Sequence, residues 1–310
     1  MPSFKSVLVL FAGIAVASGA FAAVPTPAVP TLATAPGVES PQWNLWSDSY
    51  LAFLDHGDLH GLLAGATKDD LRALLRQAQF SLDTATNAAE RGHLAEMRAV
   101  VERAIAGQLP AAVPAKVADT SRAPIVAFPF FPMKTGDVWS MKDANTGEDF
   151  TLSIVGQMPV NGVQAWKQKR SRANGAEEWD AMTNDPAKGI DLHVRFIRGT
   201  NATLTPPVHF ADANTEAGKV YTTTPSFPNP ATGNKTIWTV TVVGFEDVTV
   251  PAGTFKGCMK VNMLIKDVGL GTVLSKIDLY VAPKVGFVKR VGQFFGVFFV
   301  ESCTKYTVVP

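Results

Sequence analysis

Apolar positions along this chain recur with two different periods. Between Trp43 and Ile105 they return every three or four residues, the spacing that lines one face of a helix. Leu45, Trp46, Tyr50, Leu51 and Leu54 form one stripe, Leu71, Leu74, Leu75, Ala78, Leu82 and Ala85 a second, and Leu94, Met97, Val101 and Ile105 a third. Gly57 interrupts the first, and a short helix over Leu59–Ala64 follows. Thr67 is placed to cap the second helix, with Asp70 three residues on to meet the positive helix terminus. Gly92 breaks the pattern before the third stripe, which Gly107 and Pro110 end. Asp55-His56-Gly57-Asp58-Leu59 and Glu90-Arg91-Gly92-His93-Leu94 echo one another at an offset of 35 residues, each placing a Gly turn between helices. That period is near the helix–turn–helix repeats of the tetratricopeptide kind, without their Trp, Tyr and Pro landmarks. The segment reads as a bundle of helical hairpins, or as a degenerate repeat pair.

Beyond residue 135 the period becomes two. Phe150–Ile154, Trp238–Val242, Val248–Val250, Lys260–Met263 and Lys276–Tyr280 alternate apolar and polar positions. Asn145-Thr146-Gly147, Asn161-Gly162 and Asn174-Gly175 are hairpin-type turns. Nothing resembles a βαβ unit, so the pattern predicts an antiparallel sheet of roughly ten strands over Asp137–Val309. Phe294–Val300 is apolar on both faces, which suits a central strand covered on both sides better than an exposed edge.

Two breaker-rich stretches punctuate this order: Pro25, Pro27, Pro30, Pro36 and Pro41, then Pro110, Pro114, Pro124, Pro129 and Pro132. Proline lacks the N–H and blocks helix at the residue before it, so both read as extended linkers. The start of the chain has the form of a secretory signal: Lys5, an apolar run over Val7–Val16, and Ala20-Phe21-Ala22 before a cleavage at Ala23. A membrane anchor is the alternative, and the run is short of the roughly 20 residues a span needs. The expected organisation is a signal peptide over 1–22, a linker over 23–42, a helical segment over 43–109, a second linker over 110–135 and a sheet domain over 136–310. The fold class is α+β, with helical hairpins ahead of a strongly curved antiparallel sheet.

With 28 Lys+Arg against 27 Asp+Glu, charge gives no reason to expect nucleic acid as a partner. No segment after the signal is long and apolar enough to span a bilayer as a helix. The protein is therefore expected in the periplasm or outside the cell.

The β region also carries a resemblance. Thr249-Val250-Pro251-Ala252-Gly253-Thr254-Phe255-Lys256 leads into a strand near Cys258, and Leu279-Tyr280-Val281-Ala282-Pro283-Lys284-Val285-Gly286-Phe287-Val288-Lys289 follows. This order resembles a pattern in uncharacterised secreted and lipoprotein-like bacterial proteins, as do Gly136-Asp137-Val138-Trp139 and the stretch from Pro206-Pro207 to Gly218-Lys219-Val220. The resemblance covers about residues 130–309 and implies a sheet similar to the half-barrels of periplasmic lipoprotein carriers. It brings no catalytic residues. Read by itself, each motif is corner chemistry: Pro251 with Gly253, and Pro283 with Gly286, reverse the chain and set strand register.

Candidate chemistry is sparse. Cys258 and Cys303 would form a disulfide worth about 3–4 kcal/mol in an oxidising compartment, with two free buried thiols as the alternative. His56 and His60 lie four apart beside Asp55 and Asp58, a weak metal pair that Gly57 disrupts, so no metal is expected. Glu178 and Asp180 share a strand face, as an acid/base pair would or a solvated strand does. His193 and His209 lie on separate strands or loops, and no nucleophile or cofactor motif is present. Aromatics stand out instead: Phe128, Phe130 and Phe131 in the second linker, and Phe294 and Phe298 near the end. A curved sheet has a concave face to fill, by the protein's own helices, by the 110–135 segment, or by an apolar, lipid-like ligand among these phenylalanines. The expected function is that of a non-enzymatic envelope protein binding such a ligand, or an envelope protein partner through its helices. The alternative is a hydrolase with a site assembled on the sheet.

Overall fold

The computed structural model describes residues 40–56, 59, 63–85, 87–108, 125–126, 130–173, 175, 177–197, 200–228, 233–294 and 297–309. The signal-peptide reading, most of both Pro-rich linkers, the His56 and His60 side chains and Phe128 lie outside the described residues. What is described is an α+β fold whose helices and sheet belong to one unit.

Among the described residues three long helices come first: α1 (Ser40–His56), α2 (Lys68–Thr84) and α3 (Ala88–Ile105). Thr67 caps α2 in a full capping box: its Oγ1 accepts from the Asp70 N–H while Asp70 accepts from the Thr67 N–H. The helix α3 starts at Asn87, whose side chain accepts from the N–H groups of Ala89 and Glu90. It therefore runs straight through Gly92, and the expected Gly turn there is not formed. One interior glycine costs a helix only about 1 kcal/mol, less than the cap and the Leu94–Met97–Val101 stripe provide. The 35-residue echo is thus not a structural repeat of Gly turns. Trp46, Tyr50, Leu71, Leu74, Leu94, Met97 and Val101 close the helical core.

Among the described residues the sheet has twelve antiparallel strands, two more than the alternation suggested. They are β2 (Val138–Asp143), β3 (Asp149–Val160), β4 (Val163–Arg172), β5 (Glu177–Asp185), β6 (Gly189–Ile197), β7 (Thr200–Ala211), β9 (Val220–Thr223), β10 (Thr236–Val250), β11 (Gly253–Asp267), β12 (Val273–Ala282), β13 (Gly286–Phe294) and β14 (Val297–Thr307). Two short strands, β1 (Ile125–Val126) and β8 (Asn214–Thr215), pair separately. The order β7-β6-β5-β4-β3-β2-β14-β13-β12-β11-β10-β9 joins two meanders through the β2–β14 pair, and every other neighbour is consecutive in sequence. The sheet curls until its edges β7 and β9 approach: the Ser226 N–H, just past β9, donates to the Thr205 carbonyl of β7 at 3.0 Å. The result is a nearly closed half-barrel.

The turns follow the sequence signals. Asn161 and Gly162, both at positive φ (49° and 77°), join β3 to β4. Gly286, at φ 95°, lies against Trp139, where an added Cβ would stand 2.9 Å from the ring. The Trp139 indole N–H donates to the Val285 carbonyl at 2.6 Å, so this corner locks β2 to the β12–β13 turn.

The Phe294–Val300 run is not a single strand. It folds back between β13 and β14, with Phe294 opposite Val297. The part in β14 is central as expected, flanked by β13 and β2 and covered outside by α1, where Tyr50 meets Phe298 edge-on at 5.0 Å. The expected disulfide is also absent. Cys258 and Cys303 are free, buried thiols on β11 and β14, with β12 and β13 between them in the sheet. Each thiol donates to a nearby carbonyl, Cys258 to Phe255 and Cys303 to Lys305. Burial pushes the Cys258 thiol up to about 12 and Cys303 to about 11, so both stay protonated and unreactive.

Candidate functional site

Strand register decides what the barrel contains. On β10–β12 the inward positions are Trp238, Val240, Val242, Met259, Val261, Met263, Ile265, Ile277, Leu279 and Val281, a continuous apolar wall. Across the barrel the same geometry stacks polar residues. Leu152 faces Arg170, which faces Glu178; Ile154 faces Gln168, which faces Asp180, which faces Arg195. On β13 and β14, Arg290 faces Glu301.

Opposite charges therefore sit on adjacent strands, Arg170 and Glu301 buried and Glu178 and Asp180 half-buried. Glu301 takes both arms of Arg170, at 2.5 and 3.0 Å, and a further contact from Arg290 at 3.1 Å. Arg170 also approaches Glu178 at 3.5 Å, and Arg172 is paired with Glu148. Arg195 lies 3.4 Å from Asp180 in an ion pair that leaves its Nε without a hydrogen bond. The guanidinium planes stack on aromatic rings: Arg170 on Phe150 (4.2 Å), Arg195 on Phe294 (4.7 Å) and Arg290 on Phe299 (5.3 Å). Burial works against the Arg170 charge, but the Glu301 and Glu178 carboxylates outweigh it and hold its pKa above the usual value. Burial raises the Asp180 carboxyl, with Arg195 and Arg170 opposing.

The space left between the two walls is small. A cavity of about 40 Å³ is lined by Gln168, Asp180, Arg195 and Arg290 on one side and by apolar residues including Met263 and Phe287 on the other. That holds a water molecule, against the several hundred Å³ a drug-sized ligand takes. The rest of the hollow is filled by an irregular segment. Phe130 and Phe131 are 3% and 2% exposed and Met133 is buried beside them. Phe130 packs on Phe245 at 6.2 Å and Phe131 stands edge-on to Phe287 at 5.5 Å. The Asn184 amide donates to the Phe131 carbonyl. Outside the barrel, a shallow groove of about 290 Å³ opens between Val138 and Tyr306.

The aromatic residues picked from the sequence thus divide. The structure brings Phe130, Phe131 and Phe294 to the barrel interior, whereas Phe298 faces the helices. Glu178 and Asp180 do share one face, and it is the interior, where arginines neutralise them. The charged network itself was missed. Its signal was present: Gln168, Arg170 and Arg172 alternate on one side of the Asn174-Gly175 turn, and Glu178 and Asp180 on the other, so a hairpin there pairs them.

His193 Nε2 meets Thr183 Oγ1 at 3.1 Å, and burial lowers its pKa. His209 is the imidazole with carboxylate partners. Its Nδ1 lies 2.6 Å from Asp191 Oδ1 and its Nε2 3.0 Å from Asp212 Oδ1, while the Tyr221 hydroxyl donates to Asp212 Oδ2 at 3.0 Å. Both ring nitrogens are taken by acids, and none of these four residues lines either hollow. Among the described residues no group of three or more His, Cys, Asp or Glu side chains is arranged to hold a metal.

No family model matches this chain, and no curated protein matches it. Two solved structures are similar. One is a "putative lipoprotein" from Parabacteroides distasonis ATCC 8503, with a TM-score of 0.34 and 15% identity over 57% of this chain and 98% of that one. The other is a "putative exported protein with YmcC-like fold" from Bacteroides fragilis NCTC 9343, with a TM-score of 0.32 and 14% identity over the same shares, 57% and 98%.

Proposed function

We propose that this chain is an exported, non-enzymatic protein of the cell envelope, and that it binds an apolar, lipid-like ligand against the β10–β12 wall. The observation that carries this reading is what fills the wall in the structure. Phe130 ends a single 3-10 turn and Phe131 and Met133 lie in irregular chain outside the sheet, and all three occupy the hollow as side chains of a detachable ligand would. An acyl chain offers the same chemistry: apolar surface, no donor or acceptor to satisfy, and a gain of about 0.8 kcal/mol per methylene buried. Among the described residues the network opposite pairs its acids with arginines, and His209 has carboxylates rather than a nucleophile on both nitrogens. Docking through the helices has less in its favour, because their apolar stripes are spent on one another and on Phe298. Export is inferred from the pattern of Lys5, the Val7–Val16 run and Ala20-Phe21-Ala22.

Titration with the fluorescent fatty acid cis-parinaric acid tests the reading. Saturable binding to the wild-type protein is expected, with oleate competing and Asn184→Ala, which loosens the segment, binding several-fold more tightly. No saturable binding by wild type contradicts it. So does binding seen only after Phe130→Ala with Phe131→Ala, because that marks a cavity made by truncation.

A further inference from the structure

The barrel has a seam, and it is stitched in two places. One stitch is neutral: Ser226 donates its N–H to the Thr205 carbonyl at 3.0 Å, and its hydroxyl bridges the Thr205 N–H and the Thr203 carbonyl at 3.2 Å each. The other is the His209 group. His209 is on β7, Asp191 on β6, Asp212 just past β7 and Tyr221 on β9. The Tyr221 ring stands edge-on to the imidazole at 4.7 Å. Its hydroxyl accepts from the Asp212 N–H at 3.1 Å and lies 3.4 Å from the Thr215 hydroxyl. Among the described residues, His209 is the one cation within ion-pair distance of Asp191 and Asp212. Lys219 and Glu216 nearby are paired with each other.

The geometry imposes a protonation state. Each ring nitrogen faces a carboxylate oxygen at hydrogen-bond distance, and only an imidazolium has an N–H to give to both. A neutral ring would turn a lone pair toward one carboxylate. The neighbours act consistently: the hydrogen bond to Asp191 raises the His209 pKa most, burial opposes it, and Asp212 adds to the rise. A raised folded-state value means that the clasp's contribution is full below the ordinary histidine pKa, about 6.5. It is lost as pH rises through the raised value.

We propose that His209 is the pin of a proton-operated clasp: its imidazolium holds Asp212, which bonds Tyr221 across the seam between the two edge strands, and its release opens the seam as the way into the apolar hollow. The two residues flanking His209 on β7 couple the clasp to that hollow, since Val208 and Phe210 point into the barrel core and Phe210 lines the cavity. The entry clause rests on the ligand reading above; the clasp itself does not.

Hydrogen exchange on the full chain between about pH 5.5 and 9, corrected for the intrinsic pH dependence, separates the two. Protection of Val220–Thr223 is expected to fall about tenfold for each unit by which His209 is raised, while β11 and β12 hold constant. In His209→Gln the step should vanish. In Asp212→Asn, which removes one carboxylate, its midpoint should move to lower pH. Uptake of 1-N-phenylnaphthylamine should speed up across the same step. A flat β9 profile in wild type, the same step in His209→Gln, an unmoved midpoint in Asp212→Asn, or a parallel loss in β11 and β12 overturns the clasp. A protection step with unchanged dye uptake overturns the entry route and leaves the clasp standing.

Discussion

On β10–β12 the inward residues are Trp238, Val240, Val261, Met263 and Leu279; on β4, β5 and β14 they are Gln168, Arg170, Glu178, Asp180 and Glu301. The first wall is held by burial, which is non-directional and roughly proportional to area, so an apolar guest replaces an apolar neighbour at little cost. The second is held by paired charges out of water, where each group depends on a named partner at a set distance. One barrel therefore has an apolar side, which the proposed reading makes exchangeable, and a fixed side. The fixed side also joins the two meanders, because Arg170 of the first grips Glu301 of the second next to the β2–β14 pair.

The largest effect should come from breaking the fixed side. Glu301→Ala leaves Arg170 and Arg290 buried without their shared carboxylate and should cost about 3–5 kcal/mol in urea unfolding. Glu301→Gln keeps an acceptor and should recover part of that. A loss below about 1 kcal/mol would mean that water reaches the network and that the two walls are not different in kind. On the exchangeable side, Met263→Ala should cost about 2–4 kcal/mol through lost burial and a residual cavity. Because the effect is only one of volume, an added apolar ligand should restore part of it. No such ligand should rescue Glu301→Ala.

The period change from 3.6 to 2 made the α+β order legible, and Asn161-Gly162, Thr67 with Asp70, and Gly286 each marked a turn or cap with a local physical reason. Gly92 misled because a glycine's modest helix penalty was read without the Asn87 cap five residues earlier. Cys258 and Cys303 misled because cysteine count and compartment say nothing about which strands separate two thiols. Phe130 and Phe131 were found by composition alone, whereas the Arg170–Glu301 pair spans 131 residues and needs the β2–β14 closure, which no local pattern encodes. His209 was visible as a residue and not as a clasp, because Tyr221 reaches it only once the sheet has curled edge to edge.

Native mass spectrometry of the protein purified from its own host, followed by solvent extraction, tests the central claim most directly. The account predicts a bound species heavier than the polypeptide by the mass of about one lipid, extractable into organic solvent. A bare polypeptide mass with nothing extractable, from protein kept at every step below the pH at which the clasp opens, would contradict it.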